Sequence, residues 1–417
     1  MIDYPNNLNN IFDKLNEFNI KPIIVGGYIR DKLLQIDSKD IDIELYGLDS
    51  LDDLETILKN FGSLNTVGKS FGVCKLNYET YDIDFSLPRK DSKIENGHRG
   101  FKVHTNKNLD FKTAASRRDF TINAMGYDVI NKILLDPFEG QKDLDNKILR
   151  AVDIHKFEED PLRVLRGVGF STRFSLRYDE KLFKKCKEMI AAKKLEELPS
   201  ERIFEELKKI FLKSLKPSLA IVTLQQLGAF SFFNELNSLT NNKLSKVLQS
   251  LDTLQKETAD EKEKLLLSLA LICKDLPKNE RTSFLAKLTQ ETKIIKSVDI
   301  LISCFQTTSI DLLDDHGLYS LAKKIEIRQF LLFALLSCPE EKTKTIKMLV
   351  NRAEELGILY SAMPALVEGK DLIALGLQPS KEFKIILDKT YEAQMRNLFS
   401  TKDEALNWLK INMLQLS

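Results

Sequence analysis

The sequence predicts an α+β protein, a β-rich N-terminal third followed by helices to the end of the chain. Before residue 137, short apolar runs alternate with polar residues at a period of two, the mark of half-buried strands. From Asp143 onward the apolar period is that of a helix, interrupted near Gly228, Pro277, Pro339, Gly357, Pro364 and Pro379. At 417 residues the chain exceeds one ordinary core. Shifts in pattern put seams near 138, 215 and 340, so the expected domains are 1–137, 138–215, 216–340 and 341–417.

The elements follow in order. Ile23, Ile24 and Val25 read as a buried strand, Gly26-Gly27 as a turn, and Arg30 to Leu34 as a helical turn. Asp40 to Leu45 is a strand whose side chains alternate, with Ile41, Ile43 and Leu45 on one face and Asp40, Asp42 and Glu44 on the other. Leu48–Phe61 is expected to be an amphipathic helix. Strands Ser70–Asn77 and Tyr81–Ser86 meet at a tight turn near Glu79-Thr80. Residues 87–110 are polar and basic without apolar period, a long loop of the kind that serves as a lid or stays disordered. Leu134-Leu135-Asp136-Pro137 is the last strand and its exit. Phe157–Phe174, Leu182–Leu195 and Ser200–Leu215 are helices, the last capped by Ser200 and striped by Ile203, Phe204, Leu207, Ile210 and Phe211.

Composition excludes several classes. With 43% hydrophobic and 29% charged residues and no bilayer-length apolar run, the chain reads as a globular protein with no membrane span. MIDYPNNLNN lacks the pattern of a signal peptide. Five scattered cysteines, without a C-x-x-C pair, suggest a reducing, cytoplasmic setting and no cysteine-based metal site. Four separated histidines offer no ligand pair. A net charge of +1 means that nucleic-acid binding would rest on local patches such as 184–194, 208–216 and 342–352.

Three constellations can carry chemistry. Asp40 and Asp42 share a face, and Asp82 and Asp84 repeat the alternation on the Tyr81–Ser86 strand. Acidic residues on a strand are often only its wet face. Gathered by a divalent cation such as Mg²⁺, Asp40, Asp42 and Asp84 would serve phosphoryl or nucleotidyl transfer, while Gly26-Gly27 lets backbone N–H groups approach phosphates. The second constellation is Arg117-Arg118-Asp119 with Asn123, either the charged start of a helix or a set of donors for triphosphate and ribose with Asp119 as acceptor. The third is Glu159-Asp160-Pro161-Leu162-Arg163 with Arg166 beyond. Asp160 and Arg163 lie on one helix face, either as a cap and a solvated arginine or as a functional pair.

These motifs stand in a definite order: Gly26-Gly27-x-x-Arg30-Asp31, Asp40-x-Asp42, Arg117-Arg118-Asp119, Asp136-Pro137-x-x-Gly140-x-x-Asp143-Leu144, Glu159-Asp160-x-x-Arg163 and Pro199-x-Glu201-Arg202-Ile203 followed by Glu205, Glu206 and Leu207. The order resembles the bacterial tRNA nucleotidyltransferase/poly(A) polymerase family over residues 20–215. A fainter likeness, from Val367-Glu368-Gly369-Lys370-Asp371-Leu372 to Trp408-Leu409, looks like the family's tRNA-contacting segment. The resemblance implies a mixed-sheet nucleotidyltransferase head of the DNA polymerase β type, then all-α neck, body and tail in a seahorse-like outline. It implies Mg²⁺ on Asp40 and Asp42, with Asp84 as third carboxylate. Gly26, Gly27 and Arg30 would hold the triphosphate. Arg117, Arg118 and Asp119 would act on phosphate and ribose, with Asn123 and Arg166 in the same nucleotide pocket. Asp160 and Arg163 would read the base, and loop 88–104 would serve the last A. The partners implied are tRNA, CTP and ATP, for addition of the 3′-terminal CCA. Alternatives are poly(A) polymerase, a CC- or A-adding enzyme, or an RNA-binding protein that lost its chemistry. Leu265–Asp275 has no histidine, so no metal-dependent phosphohydrolase activity is expected, and Val67–Val73 looks more like the tRNA enzymes.

Overall fold

The structure is a computed structural model that describes residues 2–62, 64–65, 72–93 and 101–412. The Val67–Val73 stretch falls largely outside the described residues, as does the middle of the 88–104 segment. The chain divides into two compact units, residues 1–238 and 239–417.

The first unit is built on a seven-stranded sheet. Its strands are β1 (Lys21–Val25), β2 (Asp40–Tyr46), β3 (Leu64–Asn65), β4 (Val73–Tyr78) and β5 (Tyr81–Ser86). After a separate two-stranded sheet of β6 (Arg89–Lys93) and β7 (Phe101–Thr105) come β8 (Gly126–Asp128) and β9 (Ile133–Leu135). The spatial order is β3-β4-β5-β2-β1-β8-β9, antiparallel throughout except for β2 and β5, which run parallel. The sheet is therefore mixed, as the resemblance implied. Pairing aligns Asp40 with Asp82 and Asp42 with Asp84, while Asp42 also lies opposite Val25, the residue before Gly26.

Alternation fixes the register. Ile41, Ile43, Leu45, Cys74, Leu76, Ile83 and Phe85 are buried on one face, beneath α1 (Asn9–Glu17) and α2 (Gly27–Leu33). A one-residue slip of β2 would drive Asp42 and Glu44 into that core. Ile23, Val25, Tyr46 and Ala114 form a smaller apolar cluster on the opposite face. Asp42 and Glu44 lie on that opposite face, because directly paired residues point the same way.

Three expectations are corrected. The helix expected over Leu48–Phe61 is confined to α3 (Leu54–Leu58). Ser50 and Asp52 bond to each other, Asp52 N–H to Ser50 Oγ at 3.2 Å, and this local turn delays the helix. Segment 87–110 contains the β6–β7 pair, whose backbone groups satisfy one another without needing the main sheet. At α8 (Ser200–Lys213), Pro199 occupies the cap position in an extended conformation, so Ser200 is already helical and caps nothing.

After the sheet come α4 (Phe111–Ala115), α5 (Gly140–Asp145), α6 (Leu162–Phe174), α7 (Glu180–Ala191), α8 and α9 (Ser218–Gln226). Helix α6 packs on α8 and α9. The second unit is all-helical among the described residues, from Asn241–Glu257 to Lys402–Asn412. Gly228 (φ 85°) and Gly357 (φ 68°) supply left-handed stops after helices, and Pro277 stands at a helix start. Within this unit Arg328 donates to both oxygens of the buried Glu263 at 2.8 Å. Residues 367–409 fold around their own cluster of Val367, Leu372, Ala393, Phe399, Ala405 and Leu409.

Candidate active site

A cleft of about 460 Å³ in the first unit gathers most of the residues singled out from the sequence. Gly27, Arg30, Asp42, Arg117, Arg118, Asp119 and Asn123 line it from the sheet and its connections, Asp160 from just before α6, and Arg163 and Arg166 from α6 itself. Asp40, two residues before Asp42 on β2, Asp84, opposite Asp42 on β5, and Gly26, at the start of α2, adjoin the cleft without lining it.

Gly26 (φ 73°) turns the chain from β1 into α2. A Cβ there would come within 2.6 Å of Arg118 Nη1 and 3.7 Å of Asp42 Oδ2. Only glycine admits both this backbone conformation and that approach.

The carboxylates of β2 have different fates. Asp40 and Asp42 have no side-chain hydrogen bond or ion pair among the described residues. Asp42 opens to solvent, yet it is ringed by protein: desolvation raises its pKa, Arg118 opposes, and Asp84, Glu44 and Asp40 raise it further. Asp84 meets Lys75 Nζ at 3.0 Å, across the β4–β5 ladder. Glu44 is buried and accepts from Arg117 Nη2 at 3.0 Å and Arg118 Nη2 at 3.1 Å. Burial works against its charge, but Arg118 and Arg117 prevail and hold its carboxyl below the usual range. Among the described residues no three acidic, histidine or cysteine side chains are drawn together as a metal cage.

Beneath the cleft runs a buried polar chain. Arg30 donates through Nε at 2.8 Å and Nη2 at 2.6 Å to Asp31, and through Nη1 at 2.6 Å to Asn123. Its guanidinium also lies 5.1 Å and 4.6 Å from the Phe170 and Phe174 ring centres. Asn123 donates to Asp119 at 3.0 Å, and Asp119 accepts from Arg166 Nε at 2.7 Å. Although burial disfavours its charge, Arg166 and Asn123 hold the Asp119 carboxyl below the ordinary range. The Asp136 to Asp143 motif braces this turn from behind. Asp136 caps α5 through Gly140 N–H at 2.7 Å and Asp143 accepts from Thr121 Oγ1 at 2.8 Å, while a Cβ on Gly140 would lie 2.2 Å from the Thr121 carbonyl oxygen.

Just before α6, Asp160 accepts from Leu162 N–H at 3.1 Å and from Arg202 Nη2 at 3.1 Å. It thus serves the first helical N–H and both oxygens meet Arg202, while the residue lines the cleft. Arg163 donates to the Lys156 carbonyl at 2.8 Å and the Arg117 carbonyl at 3.0 Å, which uses two of its five N–H groups. The cleft is also lined by Phe170 and Arg173, which no motif included, and by three residues of α8, Glu206 from the 199–207 motif and Lys209 and Lys213 from the 208–216 basic stretch. The sequence marks Phe170 and Arg173 only by helical spacing, Arg163, Arg166, Phe170 and Arg173 recurring on one side of α6. Of the basic stretches, Lys208, Lys209 and Lys194 each pair with a glutamate three residues away, and Lys342 and Arg352 pair with Asp311 and Asp315.

Residues 23–150 match the family model described as "Poly A polymerase head domain", and residues 176–239 match "Probable RNA and SrmB- binding site of polymerase A". The chain is 36% identical over 217 residues to a "Multifunctional CCA protein" of Neisseria meningitidis, covering 52% of this chain and 49% of that protein. It thus spans about half the length of the curated relatives it matches. Among solved structures, an apo CCA-adding enzyme superposes with a TM-score of 0.71 at 21% identity, covering 99% of this chain and 97% of that one. A CCA-adding enzyme with CTP gives 0.69 at 20% identity, covering 98% and 96%. The Thermotoga maritima CCA-adding enzyme complexed with tRNA gives 0.65 at 21% identity, covering 100% and 97%. These likenesses establish the fold.

Proposed function

We propose that this chain, whose residues 23–150 and 176–239 match the head and RNA-binding models of poly(A) polymerase, adds or repairs the 3′-terminal CCA of tRNA from CTP and ATP, without a nucleic-acid template and with release of pyrophosphate. One observation carries this reading above the others: a single cleft is walled by Asp42 of the sheet and by Asp160 and Arg163 at the start of α6.

Nucleotidyltransferases of this fold normally use a divalent metal. Here Mg²⁺ on Asp40 and Asp42 is the reading, with Asp84 as the third carboxylate. The residues fit: among the described residues Asp40 and Asp42 form no ion pair, Asp84 holds only the exposed Lys75 at 3.0 Å, and the crowding of carboxylates around Asp42 is what a cation relieves. When bound, such an ion neutralises phosphate charge and makes the attacking hydroxyl more nucleophilic.

The chain's own groups do the rest. Arg117 and Arg118 supply charge-assisted donors to the triphosphate, and the Gly26-Gly27 turn lets the phosphates approach the backbone. Arg30, already engaged with Asp31 and Asn123, steadies that wall, and Asp119 with Asn123 and Arg166 shapes the ribose side. Asp160 and Arg163 read the base. Cytosine and adenine each present an exocyclic amine beside a ring-nitrogen acceptor. A carboxylate that only accepts and a guanidinium that only donates satisfy both. Uracil and guanine present the reverse order and leave buried groups unpaired, at about 1–3 kcal/mol each.

The test uses tRNAs ending before CCA, after C and after CC, each given CTP, ATP or both. Extension to a complete CCA and no further supports the proposal. A long run of A residues identifies a poly(A) polymerase, extension from one end only identifies a partial enzyme, and no extension with any tRNA overturns the reading.

A further inference from the structure

Glu44 stands two residues beyond Asp42 on β2, yet it faces arginines rather than open cleft. It is 1% exposed. Its Oε1 accepts from both Arg117 Nη2 at 3.0 Å and Arg118 Nη2 at 3.1 Å, and its Oε2 accepts from the Tyr46 hydroxyl at 3.1 Å. One buried oxygen thus holds two guanidinium groups side by side against their mutual repulsion. Neither arginine can swing away without leaving the carboxylate poorly compensated, which is costly in a buried place. Arg118 is fixed from a second direction, since its Nη1 lies over the Gly26 turn where no Cβ fits. Its Nε is buried without a hydrogen-bond partner among the described residues, and both arginines line the cleft.

We propose that Glu44 is a positioning residue that clamps Arg117 and Arg118 into a preformed pair for the triphosphate of the incoming nucleotide. Two long side chains ordered before binding need not be ordered during it, so the clamp is expressed as nucleotide affinity. Base choice lies with other residues and is untouched. The inference rests on the assignment of this cleft to nucleoside triphosphates.

The experiment is calorimetric titration of the full chain with ATP and with CTP, in wild type and in Glu44→Ala, Glu44→Gln and Tyr46→Phe. Stoichiometry reports the folded fraction, and Kd reports the clamp. Glu44→Ala is expected to raise Kd for both nucleotides roughly tenfold or more. Glu44→Gln keeps a neutral acceptor of about half the strength, so it falls between wild type and Glu44→Ala. Tyr46→Phe, which frees Oε2 alone, raises Kd by about threefold. In a background with both Arg117→Ala and Arg118→Ala, Glu44→Gln adds less than about twofold, because the clamp then has nothing to hold. If Glu44→Ala does not fold, the Gln and Phe variants carry the test. Unchanged or tighter Kd in both, or an undiminished effect in the background lacking both arginines, overturns the clamp. If wild type binds both nucleotides but extends no tRNA, the functional reading fails and the clamp is still tested. If wild type binds neither, the clamp falls with it.

Discussion

At the scale of single residues, the site is governed by which carboxylates of β2 find a cation within the protein. Glu44 has two arginines; Asp42 has an arginine nearby and three like charges around it. The alternation of Asp40, Asp42 and Glu44 was legible in the sequence because a strand's period is two. That Glu44 is neutralised by residues more than seventy positions away was not, since no local pattern encodes a tertiary ion pair. Replacing Asp42 with alanine is expected to abolish nucleotide addition, by about 10³-fold or more, because transition-state charge loses a ligand. Folding should change by less than about 0.5 kcal/mol, since the side chain is open to solvent and makes no bond. Single-turnover extension in Mg²⁺ together with a urea melt checks both halves; normal turnover by the variant refutes the metal assignment.

At the scale of elements, the turn bearing Arg117 to Asn123 is tied to α6 by Asp119 and Arg166. Breaking that pair with Asp119→Ala leaves the half-buried Arg166 with Glu206 at 3.8 Å as its remaining partner, for a loss of about 1–3 kcal/mol read from the urea midpoint. The sign of the pH dependence follows from the lowered carboxyl of Asp119. Its contribution to stability is complete above the ordinary aspartate pKa of about 3.9 and fades as pH falls through the lower folded value. The urea midpoint of wild type therefore drops below about pH 4 by an increment that Asp119→Asn lacks. The β6–β7 pair makes a second case. Shortening residues 88–104 should spare C addition and slow the terminal A by about tenfold, as expected of a segment that rearranges between substrates. Equal loss of both steps in a nucleotide-by-nucleotide extension assay contradicts this. In the sequence this pair resembles a loop because Arg89–Lys93 carries charge without apolar residues and the alternation of Phe101-Lys102-Val103-His104 is too short to stand out from its polar surroundings. Leu48–Phe61 was read as a helix because its leucines recur at helical spacing, which a turn followed by a short helix also satisfies.

At the scale of the whole molecule, the α+β order, the mixed sheet and the all-helical second half were legible from periodicity and from the succession of motifs. The parallel β2–β5 pairing, which brings Asp84 beside Asp42, had to be supplied by topology. The second unit, residues 239–417, displays helical stripes plainly but announces no chemistry, because amphipathic helices encode packing and not ligands. What the molecule achieves is to bring the central strand of a sheet and a helix start, nearly 120 residues apart in the chain, to one cleft. The central claim is that the sheet carries the transfer while Asp160 and Arg163 choose the base. It is tested most directly by measuring incorporation of all four nucleoside triphosphates at a tRNA end lacking CCA, in wild type and in Asp160→Ala. The account predicts that the variant still transfers nucleotides but loses about tenfold or more of its preference for CTP and ATP over UTP and GTP. Full discrimination by Asp160→Ala would contradict it, leaving Asp160 as a helix cap bound to Arg202 and base selection elsewhere.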